Sequence, residues 1–290
     1  MTTVHLPVLP GPVLEWMQPV AKTVLVDGTV GGAGHGRLMC ELIGQNGQVI
    51  GLDRDASALA RIETMTPPAN LKLIQASYCR LPDVLELNGL TQVDGILLDL
   101  GLSSDQLADE SRGFSFRIDA PLDLRFDTSS GSPASDLLRH IREEDLANII
   151  YQFGEERCSR RIAKLIVETR RERPITTTKQ LHDLIHRAMP GYSGKIDSAT
   201  RTFQALRIAV NQELEHLEKA LQVLPDCLRP GGRLLIISFH SLEDRLVKNA
   251  FRDDPRLNRL TKKPVVADFA ETNSNPRSRS AKMRVAERVS

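Results

Sequence analysis

A glycine-rich run that follows a short apolar stretch constrains the fold of this chain more than any other feature. Residues 23–26 read Thr-Val-Leu-Val, and residues 27–36 read Asp-Gly-Thr-Val-Gly-Gly-Ala-Gly-His-Gly. This order predicts a buried strand that ends in an acid and opens into a glycine-rich turn before a helix. Doubly wound α/β sheets hold nucleotide-like cofactors in this way, at the carboxyl ends of their strands.

The spacing of these glycines separates two classes of cofactor. A nicotinamide dinucleotide needs glycine at positions i, i+2 and i+5, so that backbone amides meet its pyrophosphate. Gly32 and Gly34 would need a third glycine at the position of Arg37, and no other glycines of the run complete the triplet. The acid at the strand end, Asp27, would repel a pyrophosphate and suits a cationic ligand. S-Adenosylmethionine carries an α-amino group and a sulfonium but no phosphate, whereas the alternative is an ordinary tight turn built on glycine.

A second acid strengthens the case for a cofactor. Residues 48–53 form another apolar segment that ends in a carboxylate, Asp53, 19 residues after Gly34. An acid at this offset accepts hydrogen bonds from a ribose diol. The alternative is that Asp53 caps the helix that we expect to begin near Ala56. The turn and the acid together favour a cofactor that contains adenosine.

The composition limits the class of protein. A chain of 290 residues with 41% apolar residues can bury a large core in one or two domains. Its four cysteines are widely separated and form no Cys-x-x-Cys pair, so we expect free thiols in a reducing compartment. The sequence contains neither a recognisable secretory signal nor an apolar stretch long enough to span a membrane. These features predict a soluble, cytoplasmic protein without a membrane partner.

The alternation of strands and helices stops near residue 100 and resumes near residue 206. Further strands are predicted at residues 71–75, 93–99 and 233–239, with a final edge strand at 283–289. We therefore predict an α/β fold, a Rossmann-like doubly wound sheet with an inserted helical domain. The predicted domains are residues 1–104 and 206–290 for the sheet and residues 105–205 for the insert.

The predicted insert has its own organisation. Residues 101–135 are rich in Gly, Ser, Asp and Pro and predict a long ordered loop, and residues 136–189 predict a mainly helical segment. After another loop, residues 201–228 predict one long amphipathic helix.

Polar side chains follow the fourth and fifth strands, beside the expected cofactor crevice. Asp99 and Ser103 follow the fourth strand, and Ser238 and His240 follow the fifth. Enzymes that methylate exocyclic amino groups often carry Asp, Asn or Ser after the fourth strand, followed by two prolines and an aromatic residue. The prolines and the aromatic residue are absent here, so spacing alone leaves open whether Asp99 contacts an amine or the cofactor. A Ser–His nucleophile pair is conceivable within residues 238–241, but adjacent strand residues such as His240 and Ser241 point to opposite faces, which favours a role in lining the pocket of the target base.

Several residues of the insert and of the basic stretch 277–288 are candidates for nucleic-acid contact. Phe114 and Phe116 could stack on a base and Arg112 could meet a phosphate, but both aromatic side chains could equally pack into a hinge between the domains. Exposed arginines offer further phosphate contacts. The candidates for RNA binding are Arg112, Phe114, Arg157, Arg160, Arg201, Arg277 and Arg279.

No metal site is expected. His182 and His186 are spaced i, i+4 and can share a helix face, but the sequence offers neither an HExxH glutamate nor an evident further ligand. The acids Asp119, Asp123 and Asp127 alternate with arginines, which favours an ion-pair network over a cation site.

Taken as a set, these motifs resemble those of a bacterial family, the 16S ribosomal RNA N4-cytosine methyltransferases known as RsmH and formerly as MraW. The resemblance covers nearly the whole chain in order. The matching stretches are residues 27–35, 94–104, 112–116, 121–123, 154–157, 200–208, 231–245 and 277–280.

The resemblance implies a class I methyltransferase domain with an inserted helical domain. It implies methylation of the exocyclic N4 of a cytidine in the decoding region of small-subunit ribosomal RNA, with S-adenosylmethionine as methyl donor. It adds Tyr78 and Gln106 to the cofactor contacts and makes Asp99 one of them, with a second role toward the amine left open. The expected cofactor-binding residues are Asp27, Gly31, Ala33, Gly34, His35, Asp53, Tyr78, Asp99 and Gln106, and the candidates near the reacting amine are Asp99, Ser103, Ser238 and His240.

The chain departs from the family pattern at two places. The family usually has His-Pro where this chain has Asp197-Ser198, a change that we expect to affect how the insert is hinged. The family turn usually reads Gly-Gly-His, and here Ala33 replaces the first of these glycines.

Two other functions remain open from the sequence. The chain could methylate another amine, in DNA or in a small molecule, or it could be a ribosome-assembly factor that uses the cofactor little. A small-molecule enzyme would not need the basic residues 277–288, and an assembly role should survive replacement of Asp99. The oligomeric state and any catalytic base are left unassigned.

Overall fold

Seven strands form one mixed sheet in the computed structural model, which describes residues 6–194 and 196–289. The strands are β1 (Val24–Asp27), β2 (Gln48–Asp53), β3 (Leu71–Gln75), β4 (Val93–Asp99), β5 (Leu228–Ser238), β6 (Leu257–Arg259) and β7 (Lys282–Arg288). Their order in the sheet is β3-β2-β1-β4-β5-β7-β6. The first five strands of this order are parallel, and β7 is antiparallel to both β5 and β6.

Helices accompany the sheet and fill the segment between β4 and β5. They are α1 (Pro10–Met17), α2 (Gly34–Ile43), α3 (Ala56–Thr64), α4 (Leu81–Leu87), α5 (Ser104–Ala108), α6 (Ala134–His140), α7 (Glu143–Gly154), α8 (Ser159–Glu172), α9 (Thr178–Ala188), α10 (Thr200–Asn211), α11 (Glu213–Val223), α12 (Ser241–Asp253) and α13 (Phe269–Ser274). Short 3-10 turns follow β3, α11 and α13.

The sheet is covered by apolar helix faces on both sides. On one side, Leu81 of α4, Leu217 of α11 and Phe251 of α12 belong to one buried cluster. On the other side, Met17 of α1 and Met39 of α2 belong to a second cluster. Because both faces of the central strands are buried, their sequences are continuous apolar runs. The prediction of a doubly wound α/β sheet is confirmed.

The chain divides into two compact units. The sheet unit comprises residues 6–103 and 214–289, and the helical unit comprises residues 104–213. The predicted second boundary, between residues 205 and 206, falls inside α10. That helix packs on α7, where a methyl group on Gly154 would lie 2.5 Å from the Arg201 carbonyl oxygen. Gly154 allows the two backbones to approach this closely, so the whole of α10 groups with the helical unit.

Two predicted elements are wrong in detail. The single helix at 201–228 is two helices, because Gln212 adopts a left-handed conformation with φ of 51° between α10 and α11. The last strand, β7, is not an edge strand but pairs on both sides, and the three-residue β6 takes the edge.

The four cysteines form no disulfide, as expected. Among the described residues, no helix combines the length and apolar character needed to cross a membrane.

Candidate active site

Three acids end three neighbouring strands of the sheet. Asp27 is the last residue of β1, Asp53 of β2 and Asp99 of β4, and β1 lies between the other two. Because these strands are parallel, the three carboxylates share the carboxyl edge of the sheet. Asp27 is almost fully buried. The sequence pattern of apolar runs that end in acids therefore builds one concentrated anionic edge.

The glycine-rich turn follows β1 and is held by the second acid. Asp53 Oδ2 accepts a hydrogen bond from Gly31 N at 2.9 Å, and Gly31 has a φ of 50°. Ala33, the residue that precedes α2, is also left-handed, with a φ of 60°. This conformation is less favourable for alanine than for glycine. The cap of α3 is Asp55, whose side chain accepts from Ser57 N, so the alternative role of Asp53 as this cap is wrong.

Tyr78 lies close to the end of β1. It belongs to the 3-10 turn that follows β3, and it is half-buried. A methyl group on Gly28 would lie 3.1 Å from Tyr78 Cβ and would overlap the Leu98 side chain. Gly28 therefore leaves room for the Leu98 side chain and for the close approach of Tyr78, a residue that borders the same edge as the three acids.

Burial changes the acid–base properties of this edge. Burial raises the pKa of Asp27 to about 7, against hydrogen bonds from the backbone of Thr29 and Gly36, and the negative charge of Asp53 adds to the rise. Burial also raises the pKa of Asp99 to about 7, where the nearby Arg277 lowers it and Asp27 raises it. The pKa of Asp53 is raised by burial as well, against hydrogen bonds from the Asp55 and Gly31 backbones. Ionising these side chains without a cation is thus costly.

This cost gives a prediction about stability. In the unfolded chain the Asp27 carboxyl has its usual pKa of 3.8, so the folded chain binds more protons between this pH and about 7. The stability that comes with the protonated form is therefore lost as the pH rises to 7. In the ligand-free protein, we expect Asp27→Asn to raise the free energy of unfolding at pH 8 by about 2 kcal/mol. Thermal unfolding at pH 8 and pH 5 tests this, because the difference should be less than half as large at pH 5 and should vanish only below about pH 3.8. An equal effect at both pH values would contradict it.

Asp99 is connected to both neighbours of its strand end. Its backbone N–H donates to Thr29 Oγ1 at 2.6 Å, which ties the end of β4 to the turn after β1. Its Oδ2 lies 3.7 Å from Nε2 of the buried His35, in the first turn of α2. Its Oδ1 is buried and has no hydrogen-bond partner among the residues that the structure describes. Asp99 Oδ1 is therefore a hydrogen-bond acceptor that is available to a ligand.

Arg277 is a neighbour of the site that the sequence did not place there. Its guanidinium donates to the Leu102 carbonyl, and its charge acts on Asp99. It was predicted to contact RNA from a basic tail. The structure instead brings it beside the loop that follows β4, a long-range contact for which the sequence carries no local signal.

The candidates near the reacting amine occupy different environments. Ser103 faces the turn, because a methyl group on Gly31 would lie 3.6 Å from Ser103 Cβ. Ser238 is fully buried, and its hydroxyl donates to the Lys282 carbonyl at 3.2 Å within the sheet. His240 caps α12, with Nδ1 accepting from Glu243 N at 3.4 Å. The structure therefore corrects the role of Ser238, which supports the sheet, whereas Ser103 and His240 remain candidates.

The burial of Arg112 and Phe114 does not support the prediction that they contact RNA. Both are more than nine-tenths buried within the helical unit. The Arg112 guanidinium donates to the Arg125 carbonyl at 2.9 Å and lies 5.6 Å from the centre of the Phe114 ring, which packs against Phe126 at 5.7 Å. Arg125 and Phe126 lie more than ten residues further along the chain, so spacing could not reveal these two contacts. Gln106, on α5 of the same unit, is also buried.

The other basic candidates are exposed. Arg157, Arg160 and Arg201 lie on the surface of the helical unit, and Arg279 lies on the surface of the sheet unit. Arg160 donates to Asn148 Oδ1 at 3.0 Å, and Arg201 lies 3.8 Å from Glu156 Oε2. These weak surface contacts leave the guanidinium groups accessible to phosphate, and their role in RNA binding stays a prediction.

The site fits a cationic adenosine ligand. Asp27 and Asp99 are desolvated carboxylates that a positive group would stabilise, and Asp99 Oδ1 is an acceptor without a partner among the described residues. The glycine turn provides close backbone approach, and Tyr78 borders the same edge. A pyrophosphate would meet the same negative charges with repulsion.

Comparison with known proteins agrees with this geometry. Residues 2–289 match the family described as the MraW methylase family. The chain is 51% identical over 286 residues to a protein of Deinococcus deserti named ribosomal RNA small subunit methyltransferase H, covering 99% of this chain and 94% of the relative. It is 49% identical over 299 residues to a protein of the same name from Rhodopirellula baltica, covering 99% and 92%.

A solved structure of a putative rRNA-methylase from Clostridium thermocellum is similar over 97% of this chain and 95% of that one, with 11% identity and a TM-score of 0.47. The family match spans nearly every residue, including the glycine turn and the three strand-end acids. The chain therefore belongs to the MraW methylase family.

Proposed function

We propose that this chain transfers a methyl group from S-adenosylmethionine to the exocyclic N4 of a cytidine in the decoding region of 16S ribosomal RNA. The observation that carries the proposal is the 51% identity, over 99% of this chain, to a protein named ribosomal RNA small subunit methyltransferase H. The buried acids of the sheet edge support it, because they suit both a cationic methyl donor and an amino group. We propose the assembled small subunit, in the cytoplasm, as the substrate.

S-Adenosylmethionine supplies a methyl group that is electrophilic because it is bonded to a sulfonium. In our proposal, Asp27 holds the α-amino group of this cofactor and Asp53 accepts hydrogen bonds from its ribose. Asp53 also keeps the turn in place by accepting a hydrogen bond from Gly31 N, so one side chain would both shape the turn and bind the ribose. Gly31, Ala33, Gly34 and His35 would supply the backbone of the cradle, and Tyr78 would pack against the adenine.

Asp99 would orient the reacting amine. The N4 nitrogen of cytosine is a poor nucleophile, because its lone pair is delocalised into the base. An acceptor that binds an N4 hydrogen favours the tetrahedral geometry that directs the lone pair at the methyl carbon. Asp99 Oδ1 is such an acceptor, buried and without a partner among the described residues. The resulting rate enhancement is mostly positioning.

The RNA must present the target base outside its stack, which costs least at a single-stranded or distorted site. The exposed Arg157, Arg160, Arg201 and Arg279 would hold phosphates without reading sequence. Recognition of the position is then shared between backbone contacts and the shape of the subunit.

The test is methyl transfer from labelled S-adenosylmethionine to small ribosomal subunits from a strain that lacks this gene. Mass spectrometry of the digested RNA identifies the modified nucleoside. We expect label in N4-methylated cytidine at one position of 16S RNA. Subunits from the parent strain, which are already methylated, are the matched control and should accept little label. Label in another nucleoside, or in no ribosomal RNA despite cofactor binding, would overturn the assignment.

A further inference from the structure

Two histidines and an aspartate meet on the surface of the helical unit. His182 and His186 lie one turn apart on α9, and Asp197 lies in the segment that leads into α10. His182 Nε2 is 3.2 Å from Asp197 Oδ2, and His186 Nε2 is 3.2 Å from Asp197 Oδ1. One ligand atom from each of the three residues can be chosen so that all lie within 4.8 Å of one another. The methyl-transfer site described above uses none of these residues.

We propose that His182, His186 and Asp197 bind one divalent transition-metal ion, with Zn²⁺ as the best match. Imidazole nitrogen and carboxylate oxygen are zinc ligands, bound at about 2.0–2.2 Å in a tetrahedron, which places neighbouring ligand atoms about 3.3 Å apart. Each nitrogen–oxygen distance of 3.2 Å is close to this edge length, although the two run to different oxygens of Asp197, and a rotation of the carboxylate would present one oxygen to both nitrogens. Asp197 supplies the third ligand, which the i, i+4 spacing of His182 and His186 does not reveal in the sequence.

The two nitrogen–oxygen contacts of the cluster are long for charge-assisted hydrogen bonds. Charge-assisted hydrogen bonds from nitrogen to a carboxylate oxygen are typically about 2.7–2.9 Å long. Both Nε2–oxygen distances here are longer, at 3.2 Å, and each imidazole faces a different oxygen of the same carboxylate. The two imidazole rings lie side by side, with centroids 4.3 Å apart. An ion between the three groups would bring them to a common centre through small side-chain rotations.

The ligands are already oriented by their neighbours. His182 Nδ1 lies 3.4 Å from Asp183 Oδ1, the carboxylate–histidine arrangement that fixes the ring of a metal-binding histidine. The Phe116 ring stacks on His182 with centroids 5.3 Å apart. Asp197 Oδ1 accepts from Ala199 N at 2.8 Å, which anchors this carboxylate at the start of α10. Little rearrangement is therefore needed before an ion binds.

The site is accessible to solvent, and its three protein ligands do not fill a tetrahedral coordination shell, which suits an exchangeable ion. The side chains of His182, His186 and Asp197 are 25%, 49% and 34% exposed, so an ion can enter from solvent. Three protein ligands leave a fourth position for water. A bound ion would connect α9 to the segment before α10 and stabilise the helical unit against local unfolding. This role is independent of the proposed methyl transfer.

The test uses the full-length, untagged protein after removal of metals with a chelator. Isothermal titration with ZnCl₂ measures stoichiometry and affinity, and Co²⁺ absorption in the visible range reports tetrahedral coordination. We expect one equivalent to bind and the unfolding temperature to rise with added Zn²⁺. We expect His182→Gln, His186→Gln and Asp197→Asn each to weaken binding at least tenfold. Asp197→Asn keeps an oxygen that can accept from Ala199 N. Asp183→Asn should weaken Zn²⁺ binding about tenfold, because Asp183 only orients the His182 ring.

Two control variants separate this site from other ligands. His140→Gln removes an exposed histidine of the same unit, on α6, and should leave binding unchanged. Cys79→Ser removes a thiol of the sheet unit that lies 3.6 Å from His216 Nδ1, and it should also leave Zn²⁺ binding unchanged. Binding that survives His182→Gln combined with His186→Gln would overturn the proposal. The proposal would also be overturned if the wild-type protein bound no Zn²⁺ while the variants unfolded at a lower temperature. The cluster would then be a hydrogen-bonded contact only.

Discussion

Replacing Asp99 with alanine is expected to lower the rate of methyl transfer at saturating S-adenosylmethionine by about 100-fold or more, equivalent to about 2.7 kcal/mol of activation free energy. The variant removes the buried Oδ1 that we propose as the acceptor for an N4 hydrogen, while Thr29 Oγ1 still accepts from the backbone of residue 99. Single-turnover transfer to small subunits, with cofactor in excess, measures the effect.

The same variant distinguishes the two roles that the sequence left open for Asp99. If the carboxylate mainly orients the amine, the dissociation constant of the cofactor should change much less than the transfer rate. Asp99→Asn keeps an acceptor oxygen and should retain more activity than Asp99→Ala. A variant whose only defect is weak cofactor binding, with a normal rate at saturation, would show that Asp99 acts on the cofactor alone.

The second large effect concerns Asp53. We expect Asp53→Ala to raise the dissociation constant of S-adenosylmethionine by about 100-fold or more, because two charge-assisted hydrogen bonds to the ribose together contribute about 3 kcal/mol or more. The variant also leaves Gly31 N and Asp55 N without their present acceptor, which loosens the turn. Titration of the protein with the cofactor gives the constant directly.

Asp55→Ala is the matched control for this experiment, because it removes a buried carboxylate from the same loop. Asp55 accepts from Ser57 N at 3.0 Å as the cap of α3, so its loss should cost about 1 kcal/mol of stability. We expect cofactor affinity to stay nearly normal in this variant. Equal losses of affinity in both variants would mean that Asp53 matters through the shape of the loop and not through the ribose.

The strands of the parallel sheet and its anionic edge could be predicted from sequence, because their signals are local. Strands β1, β2 and β4 are each a short apolar run that ends in an acid, and a parallel sheet aligns such ends. The spacing along the chain therefore suffices to place Asp27 and Asp53 beside the glycine turn. This spacing already indicates that Asp53 lies near the turn, and the structure adds the hydrogen bond from Gly31 N to the Asp53 carboxylate.

Features that depend on distant partners could not be predicted. Gln212 carries no signal for a left-handed conformation, so the amphipathic pattern of α10 and α11 predicted one helix. β7 was assigned to the edge on its alternation, but Arg284 is buried there because it pairs with Asp244 at 2.7 Å. A hydropathy pattern counts arginine as an exposed residue, so it cannot indicate an arginine that is buried in an ion pair.

The candidate site residues show the same limit. Arg112 and Phe114 looked like an RNA-binding pair, yet the carbonyl groups and the aromatic ring that they contact come from the loop around residue 125. Asp197 becomes a possible ligand only because the loop after α9 returns to the helix face that carries His182 and His186. A sequence gives the types of side chain, whereas chain reversal over ten or more residues decides which of them meet.

The place of β7 between β5 and β6 has a consequence for synthesis of the protein on the ribosome. A nascent chain that has emerged only as far as β6 holds two strands whose shared neighbour has not yet been made. Until residues 282–288 leave the exit tunnel, the hydrogen-bonding groups along one side of β5 stay open to other chains. Closure of the sheet is thus deferred until β7 has been made, and chaperone demand should be greatest for chains stalled or truncated just before Lys282.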